Sequence, residues 1–232
     1  MKNGTIHSWL SRDKRSRQPL WAVPHQKSGY DILTGLNNMI IDLPKSTEGK
    51  LTHDTDNHTK QKVIEKAYSL AHENEHLYGC CSQCVLAAIQ EVMGIVDDAT
   101  FKAAHGLAGG GALMTGGTCG ALAGGMLAIS SVYGRSREDF SNGQNVQLYK
   151  QSYKLSRQLY NRFVAEYGGP LCAVVQTDLM GRSFNMWDRE DYAAFEGAGG
   201  HLDKCPSVTG NVAAWTVELL LDAQEKAEQP QK

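Results

Sequence analysis

The stretch Gly106–Gly125 reads GLAGGGALMTGGTCGALAGG and holds nine glycines and one cysteine, Cys119. Glycine is costly to order and has no side chain to pack, so this density predicts a place where the backbone must approach another group closely. The glycines at 109–111 and 116–117 should interrupt a helix, whereas Thr118 is a residue type that caps one. The stretch therefore predicts a loop, followed by a helix that begins beside Cys119 and ends at Gly134.

Neither a phosphate-binding loop nor a membrane span accounts for this glycine-rich stretch. A P-loop requires a lysine after its second glycine, and no lysine occurs from Ala103 to Ser130. A Rossmann loop follows a strand, but the preceding segment has a helical pattern. No charged residue occurs from Gly106 to Gly134, yet the uninterrupted part is shorter than the ~20 residues of a membrane span. We therefore expect a buried core helix.

The composition of the chain narrows its class. Its 232 residues suffice for one domain with a core, and its net charge of −2 gives no sign of a nucleic-acid or membrane partner. The N-terminus lacks an apolar stretch of signal-peptide length, so we expect a cytoplasmic protein. In a reducing compartment, six cysteines indicate metal ligands, redox thiols or buried side chains rather than a disulfide framework.

The periodicity of apolar residues predicts an all-α fold, a helical bundle. Residues 1–56 lack sustained periodicity and are predicted to form an irregular N-terminal extension, with the helical redox domain at 57–228. The first helix, about 59–78, has an apolar face that includes Ala67, Ala71 and Leu77. Further helices are predicted at 81–94, 97–108, 118–134, 145–169, 170–181 and 206–227.

Every cysteine segment lies at the start of a predicted helix, namely Cys81 with Cys84, Cys119, Cys172 and Cys205. Helix N-termini carry unpaired N–H groups and a partial positive charge, which stabilise thiolates and lower cysteine pKa values. They also favour a bound anion. Four such ends that converge would suit an iron–sulfur cluster held by thiolates.

These segments also resemble a known family. The sequences CSQCVLAAIQE, GGTCGALAGGMLAISSVYGR and KCPSVTGNVAAWTVELL are similar to the C_GCAxxG_C_C family, to which redox activity is attributed, and Cys119–Gly124 matches its CGAxxG motif in full. The resemblance covers about residues 60–225 and extends to the iron–sulfur part of split-Soret cytochromes. It implies a helical fold, supports a cluster, and aligns the four family cysteines with Cys81, Cys119, Cys172 and Cys205. Cys80 and Cys84 are additional, and no C-x-x-C-H haem motif occurs.

Three functions follow as hypotheses. The first is a redox protein with a [4Fe-4S] or [2Fe-2S] cluster on those four cysteines, where Cys84 or Cys80 could replace one of them. It would transfer electrons to a redox partner protein or reduce a small-molecule acceptor. The second is a thiol–disulfide oxidoreductase that uses Cys81 and Cys84. The third is a structural zinc site of four thiolates, or of three with His201.

Several residues outside the cysteine set receive more limited predictions. Gly117 and Gly120 are expected to give clearance to the cofactor, and a homodimer could form through the small residues Gly120, Gly124 and Gly125. The segment between Cys172 and Cys205 could line a pocket with Trp187, Tyr192 and Phe195. The string His72–His76 formally matches the zincin motif H-E-x-x-H, but its charged surroundings predict a solvated helix face.

Overall fold

A computed structural model describes the backbone of residues 53–228, and the side chains of 58–147 and 149–227. This part of the chain is all-α, as predicted, and its single β-bridge joins Thr118 to Leu171. The nine α-helices are α1 (His53–Tyr78), α2 (Cys81–Met93), α3 (Asp98–Ala103), α4 (Gly120–Tyr133), α5 (Arg137–Asn142), α6 (Val146–Tyr167), α7 (Cys172–Met180), α8 (Arg189–Gly197) and α9 (Cys205–Glu228). A 3₁₀ turn, His105–Leu107, precedes the glycine loop, and a π-helical turn, Gly200–Lys204, precedes α9.

The glycine-rich helix α4 lies in the core, as its uncharged sequence predicts. It packs against α2, α6 and α9, and its Ala121, Leu122 and Ile129 are fully buried. The largest helix pairing is that of α1 with α9. It is joined near one end by an ion pair of 2.5 Å between Lys60 Nζ and Asp222 Oδ1. None of the helices in the described part of the chain is long and apolar enough to cross a membrane.

Many predicted helix ends agree with the structure, but the α-helix predicted at 97–108 ends at Ala103, the one predicted from 59 begins at His53, and α5 and α8 were not predicted. Asp97 caps α3 by accepting the Thr100 N–H at 2.7 Å, and Gly94 ends α2 in a left-handed conformation. Helix α7, however, begins at Cys172 rather than at Pro170, because Leu171 is extended and forms the bridge to Thr118. Likewise α9 begins at Cys205 rather than Pro206. Both corrections place a cysteine at the first helical position.

The predicted apolar face of α1 is right in its middle and wrong at its end. Ala67 and Ala71 are fully buried, but Leu77 is 56% exposed. Position 75 follows 67 and 71 at four-residue spacing, so the helix directs Glu75 inward instead. Helix α1 begins at His53, ahead of the predicted domain start at 57. Residues 1–52 of the predicted extension lie outside the described residues.

Candidate functional site

The N-terminal ends of four helices meet at one cavity of about 510 Å³. Cys81, Cys172 and Cys205 are the first residues of α2, α7 and α9, and Cys119 holds the N-cap position of α4. The predicted placement of cysteines at helix starts is thus confirmed. Five cysteines line this space, which we call the cysteine cavity: Cys80, Cys81, Cys119, Cys172 and Cys205.

A short backbone pairing fixes Cys119 beside Cys172. The N–H of Cys119 donates to the Pro170 carbonyl oxygen at 2.8 Å, and the N–H of Cys172 donates to that of Gly117 at 3.0 Å. A third bond runs from the Ala173 N–H to the Thr115 carbonyl oxygen at 2.9 Å. The glycine loop is therefore joined to the start of α7, although the two segments are distant in sequence.

The glycine loop itself is a left-handed turn. All five residues from Gly109 to Leu113 have positive φ angles, between 48° and 85°. Left-handed backbone costs an L-residue roughly 1–2 kcal/mol, and glycine avoids most of that cost, which explains the triplet at 109–111. The turn directs the Gly109 N–H to the Cys81 sulfur. The sulfur of Cys119 accepts hydrogen bonds from the backbone N–H groups of Ala121 and Leu122 of α4.

Two motif glycines have different roles in the structure. A Cβ added at Gly120 would collide with Cys81 Sγ and lie 3.0 Å from the Leu107 carbonyl oxygen. One added at Gly117 would collide with the carbonyl oxygen of Gly110. Gly120 therefore makes room for a cavity cysteine, whereas Gly117 closes the glycine loop. Their predicted contact with a cofactor remains a prediction.

The remaining small residues of α4 pack within the chain. A Cβ at Gly124 would lie 2.6 Å from the Ser82 carbonyl oxygen of α2. A Cβ at Gly125 would lie 2.7 Å from Leu159 Cδ2 and from Thr216 Oγ1. Neighbouring helices of the same chain thus occupy this surface, so it is not available for the contact between two chains that we predicted. The homodimer itself stays a prediction.

The pKa values of the cysteine thiols are higher than their positions at helix starts predict. Burial raises the pKa of all six, to about 11 for Cys119 and about 12 for Cys172. At Cys119 and Cys81, backbone N–H groups oppose this shift, but desolvation outweighs them. In the protein alone the thiols are thus neutral, and a metal that bound them would displace protons.

Cys84 stands apart from the other cysteines. It is buried, does not line the cavity, and donates its S–H to the Gly79 carbonyl oxygen at 2.8 Å. The carboxyl group of Glu75 lies against the Cys84 thiol, and burial raises the pKa of this thiol strongly. A low-pKa attacking thiol in Cys81-Ser-Gln-Cys84 is therefore disfavoured, as both thiols are desolvated. The sixth thiol, Cys80, is half-exposed, on a left-handed residue, with Sγ 3.8 Å from the His105 carbonyl oxygen.

The zincin-like string His72–His76 does not form a metal site. The ring of His72 stacks on Tyr68 at 5.8 Å, while His76 Nδ1 bonds to the His201 carbonyl oxygen at 2.8 Å. Its predicted solvation is wrong for Glu75, which is only 2% exposed and lines the cysteine cavity. Oε2 of this carboxyl group is buried without a hydrogen-bond partner.

Glu75 is the site residue that sequence reasoning missed. The available signal was its position on the helix, because residues 67, 71 and 75 follow each other at four-residue spacing and the first two are alanines of the buried face. A second feature that the sequence did not reveal is a row of side chains in contact with Glu75. His201 Nε2 lies 3.9 Å from Glu75 Oε1, and His201 Nδ1 lies 2.6 Å from Glu196 Oε1. The hydroxyl of Tyr192 hydrogen-bonds to Glu196 in turn.

The segment between Cys172 and Cys205 covers the cavity, as predicted. Trp187, Tyr192 and Phe195 all line it, together with Met180 and Met186. Trp187 is held over the glycine loop by a hydrogen bond of 2.9 Å from its indole Nε1–H to the Ala112 carbonyl oxygen. The cavity is therefore a mostly apolar pocket whose polar groups include the thiols, Glu75, Gln176, Thr209 and the two histidines His105 and His201. Its size is typical for small-molecule sites, roughly 300–1,000 Å³.

The part of the chain that carries the cavity cysteines matches a known sequence pattern. A sequence model described as "Putative redox-active protein (C_GCAxxG_C_C)" matches residues 79–219. The chain belongs to the C_GCAxxG_C_C family. The match spans all six cysteines and the segment that covers the cavity. Searches of curated proteins and of solved structures found no match.

Proposed function

We propose that this member of the C_GCAxxG_C_C family is a redox protein that holds an iron–sulfur cluster through Cys81, Cys119, Cys172 and Cys205. The observation that carries the proposal is that four helix starts, each with one of these cysteines, meet at one cavity. When bound, the cluster would supply one-electron redox chemistry for electron transfer or for reduction of a small molecule. A [4Fe-4S] and a [2Fe-2S] cluster both take four thiolates, so both fit this set.

The residues around the cavity suit such a group. Backbone N–H groups point at the sulfurs of Cys119 and Cys81, and such bonds to ligand sulfurs tune the potential of iron–sulfur clusters. Gly120 leaves the space that the Cys81 sulfur needs. Cys84 is left out of this ligand set because it does not line the cavity.

A cluster is favoured over a single metal ion. Among the described residues, no three side chains of His, Cys, Asp or Glu are grouped closely enough to hold one ion. A structural zinc ion needs four donors that converge on one point. The thiolates of an iron–sulfur cluster are spread over its irons, so they surround a volume instead. The arrangement of cysteines around a cavity corresponds to the second case.

The proposal is tested by purification without oxygen, or by anaerobic reconstitution, followed by an absorption spectrum and analysis of iron, acid-labile sulfide and zinc. We expect a coloured protein with iron and sulfide in equal amounts. Serine variants of Cys119 and Cys172 should each lose most of the iron, and Cys84→Ser is the matched control. A colourless protein without iron after reconstitution refutes the cluster, and stoichiometric zinc supports the structural alternative.

A further inference from the structure

Glu75 stands out among the groups that the proposed cluster does not use. It is a carboxyl group with 2% exposure on a helix whose neighbouring buried residues are alanines. One of its oxygens lacks any hydrogen-bond partner, and the residue lines the cysteine cavity. A buried, unpaired carboxylate is very costly, and such a group is retained as a neutral acid or for a ligand. Burial accordingly raises the pKa of Glu75 above its usual range.

A path to solvent begins at the other oxygen of Glu75. His201 Nε2 lies 3.9 Å from Oε1, close enough for exchange after a small movement or through one water molecule. The other ring nitrogen of His201 lies 2.6 Å from Glu196 Oε1, which fixes the orientation of the imidazole. His201 and Glu196 have side-chain exposures of 26% and 37%, so this end of the path reaches water.

The rings around this path favour one orientation of the imidazole. Phe195 packs edge-on against His201 with ring centroids 5.1 Å apart, and Tyr192 lies at 6.4 Å. In the described part of the chain, His201 is also the only cation-forming side chain within ion-pair distance of Glu75. The other titratable groups facing Glu75 are thiols, those of Cys80, Cys81, Cys84, Cys119, Cys172 and Cys205. Of the described groups that face Glu75, His201 is thus the one basic side chain, and it links this carboxyl group to solvent.

We propose that Glu75 donates protons to a neutral, apolar electron acceptor bound in the cysteine cavity, and that His201, held by Glu196, returns them from solvent. This assignment rests on the proposed function, because the bound cluster would supply the electron. In each step the acceptor would gain that electron together with one proton from the Glu75 carboxyl, which becomes a carboxylate. The His201 imidazolium then gives its proton to Glu75 and recovers one from water. Two such steps convert a quinone to a hydroquinone.

The lining of the cavity supports an acceptor of this class. Trp187, Tyr192 and Phe195 offer aromatic faces, and Met180 and Met186 offer adaptable apolar contacts. Besides the thiols and Glu75, the polar side chains of the lining include His105, His201, Gln176 and Thr209, which can hydrogen-bond to a carbonyl oxygen, and no described lysine or arginine lines it. A planar, uncharged molecule such as 1,4-naphthoquinone therefore suits this space, and a multiply charged anion does not.

The experiment uses cluster-loaded protein reduced with a stoichiometric amount of dithionite and mixed in a stopped-flow instrument with 1,4-naphthoquinone. Ferricyanide, which takes an electron without a proton and is highly charged, is the comparison oxidant. Cluster reoxidation is followed by absorption in H₂O and in D₂O. Glu75→Gln should slow reoxidation by naphthoquinone at least about 100-fold, which is the lower bound for losing a general acid. It should also abolish the solvent isotope effect on this reaction. Reoxidation by ferricyanide should stay unchanged.

Two variants separate the roles of the residues. His201→Gln should leave the first turnover intact but slow repeated turnovers under continuous reduction, because Glu75 is no longer reprotonated. Glu73→Gln, the same exchange at an exposed position of α1, is the matched control and should behave as wild type. Glu75→Asp should restore part of the rate, since the acid is kept but displaced.

The outcomes distinguish this assignment from the proposed function. A Glu75→Gln protein that keeps its cluster and reacts with naphthoquinone at the wild-type rate overturns the assignment, and so does equal slowing with both oxidants. Failure to assemble a cluster would refute the proposed function instead. In that case infrared spectra of the protein as purified still test the assignment of Glu75. The wild type should show the carbonyl band of a protonated carboxyl group, and Glu75→Gln should lack it. A wild type without this band also overturns the assignment.

Discussion

Gly120→Ala separates the contribution of the CGAxxG motif to the cysteine site from its contribution to folding. The added methyl group would collide with Cys81 Sγ and lie 3.0 Å from the Leu107 carbonyl oxygen and 3.1 Å from the Cα of Ala108. The last two atoms belong to the backbone of the 3₁₀ turn and its C-cap. The thiol of Cys81 is the group that can yield, so the substitution should displace a proposed ligand.

The expected loss of stability is small. Overpacking costs about 1–3 kcal/mol, and alanine in place of helical glycine returns up to about 1 kcal/mol. The net loss of about 0–2 kcal/mol corresponds to a melting temperature lower by roughly 0–8 °C for a protein of this size. Iron affinity should fall further, by about 10–100-fold, as expected when a group that orients a metal ligand is changed.

Gly124→Ala is the matched control, because it crowds the same pair of helices without touching a cysteine. Its Cβ would lie 2.6 Å from the Ser82 carbonyl oxygen and 3.2 Å from Val85 Cβ. We expect a comparable or larger loss in the melting temperature measured by circular dichroism, with iron binding retained once the protein is folded. Equal iron retention by both variants, or equal loss, would contradict the reasoning that Gly120 serves Cys81 in particular.

Three further predictions concern other parts of the molecule. Cys84→Ser should retain iron while Cys172→Ser loses it, as measured by iron analysis after anaerobic reconstitution. Asp97→Ala should lower the free energy of unfolding by about 1 kcal/mol at neutral pH, the typical value for losing an N-cap. The Thr100 N–H lowers the pKa of Asp97, so this stabilisation is present above the unfolded-state pKa of about 3.9 and is lost as pH falls through the folded-state value. Urea titrations at neutral and acidic pH should therefore show a difference between the proteins only at neutral pH. Glu218→Gln breaks an exposed ion pair with Arg162 and should change stability by less than about 1 kcal/mol.

The sequence predicts seven of the nine described helices, without α5 and α8, and the grouping of cysteines at helix N-termini, because both depend on local signals. Asp97 and Gly94 mark helix ends by capping, and the uncharged run after Cys119 marks a buried helix. The start of α7 at Cys172 differs from its predicted position by two residues because the bridge from Leu171 to Thr118 is a long-range contact. Such pairing leaves no periodic signature.

The role of Glu75 and the pKa values of the thiols could not be predicted for a different reason. Both depend on how much water the folded protein excludes, which helix-by-helix patterns do not give. The charged sequence neighbours of Glu75 indicate a solvated face, and the packing of α1 decides otherwise. The helix-start effect on the thiols is real at Cys119, but desolvation exceeds it.

The distribution of the four cavity cysteines along the chain has a consequence for biosynthesis. Cys81 lies in the first third of the helical region and Cys205 near its end, at the start of the helix that packs along α1. A nascent chain cannot complete the ring of thiols until α9 has left the ribosome and docked. Delivery of the proposed cluster should therefore be a post-translational event, and a truncated polypeptide without α9 should fail to accept iron even if its remaining helices form.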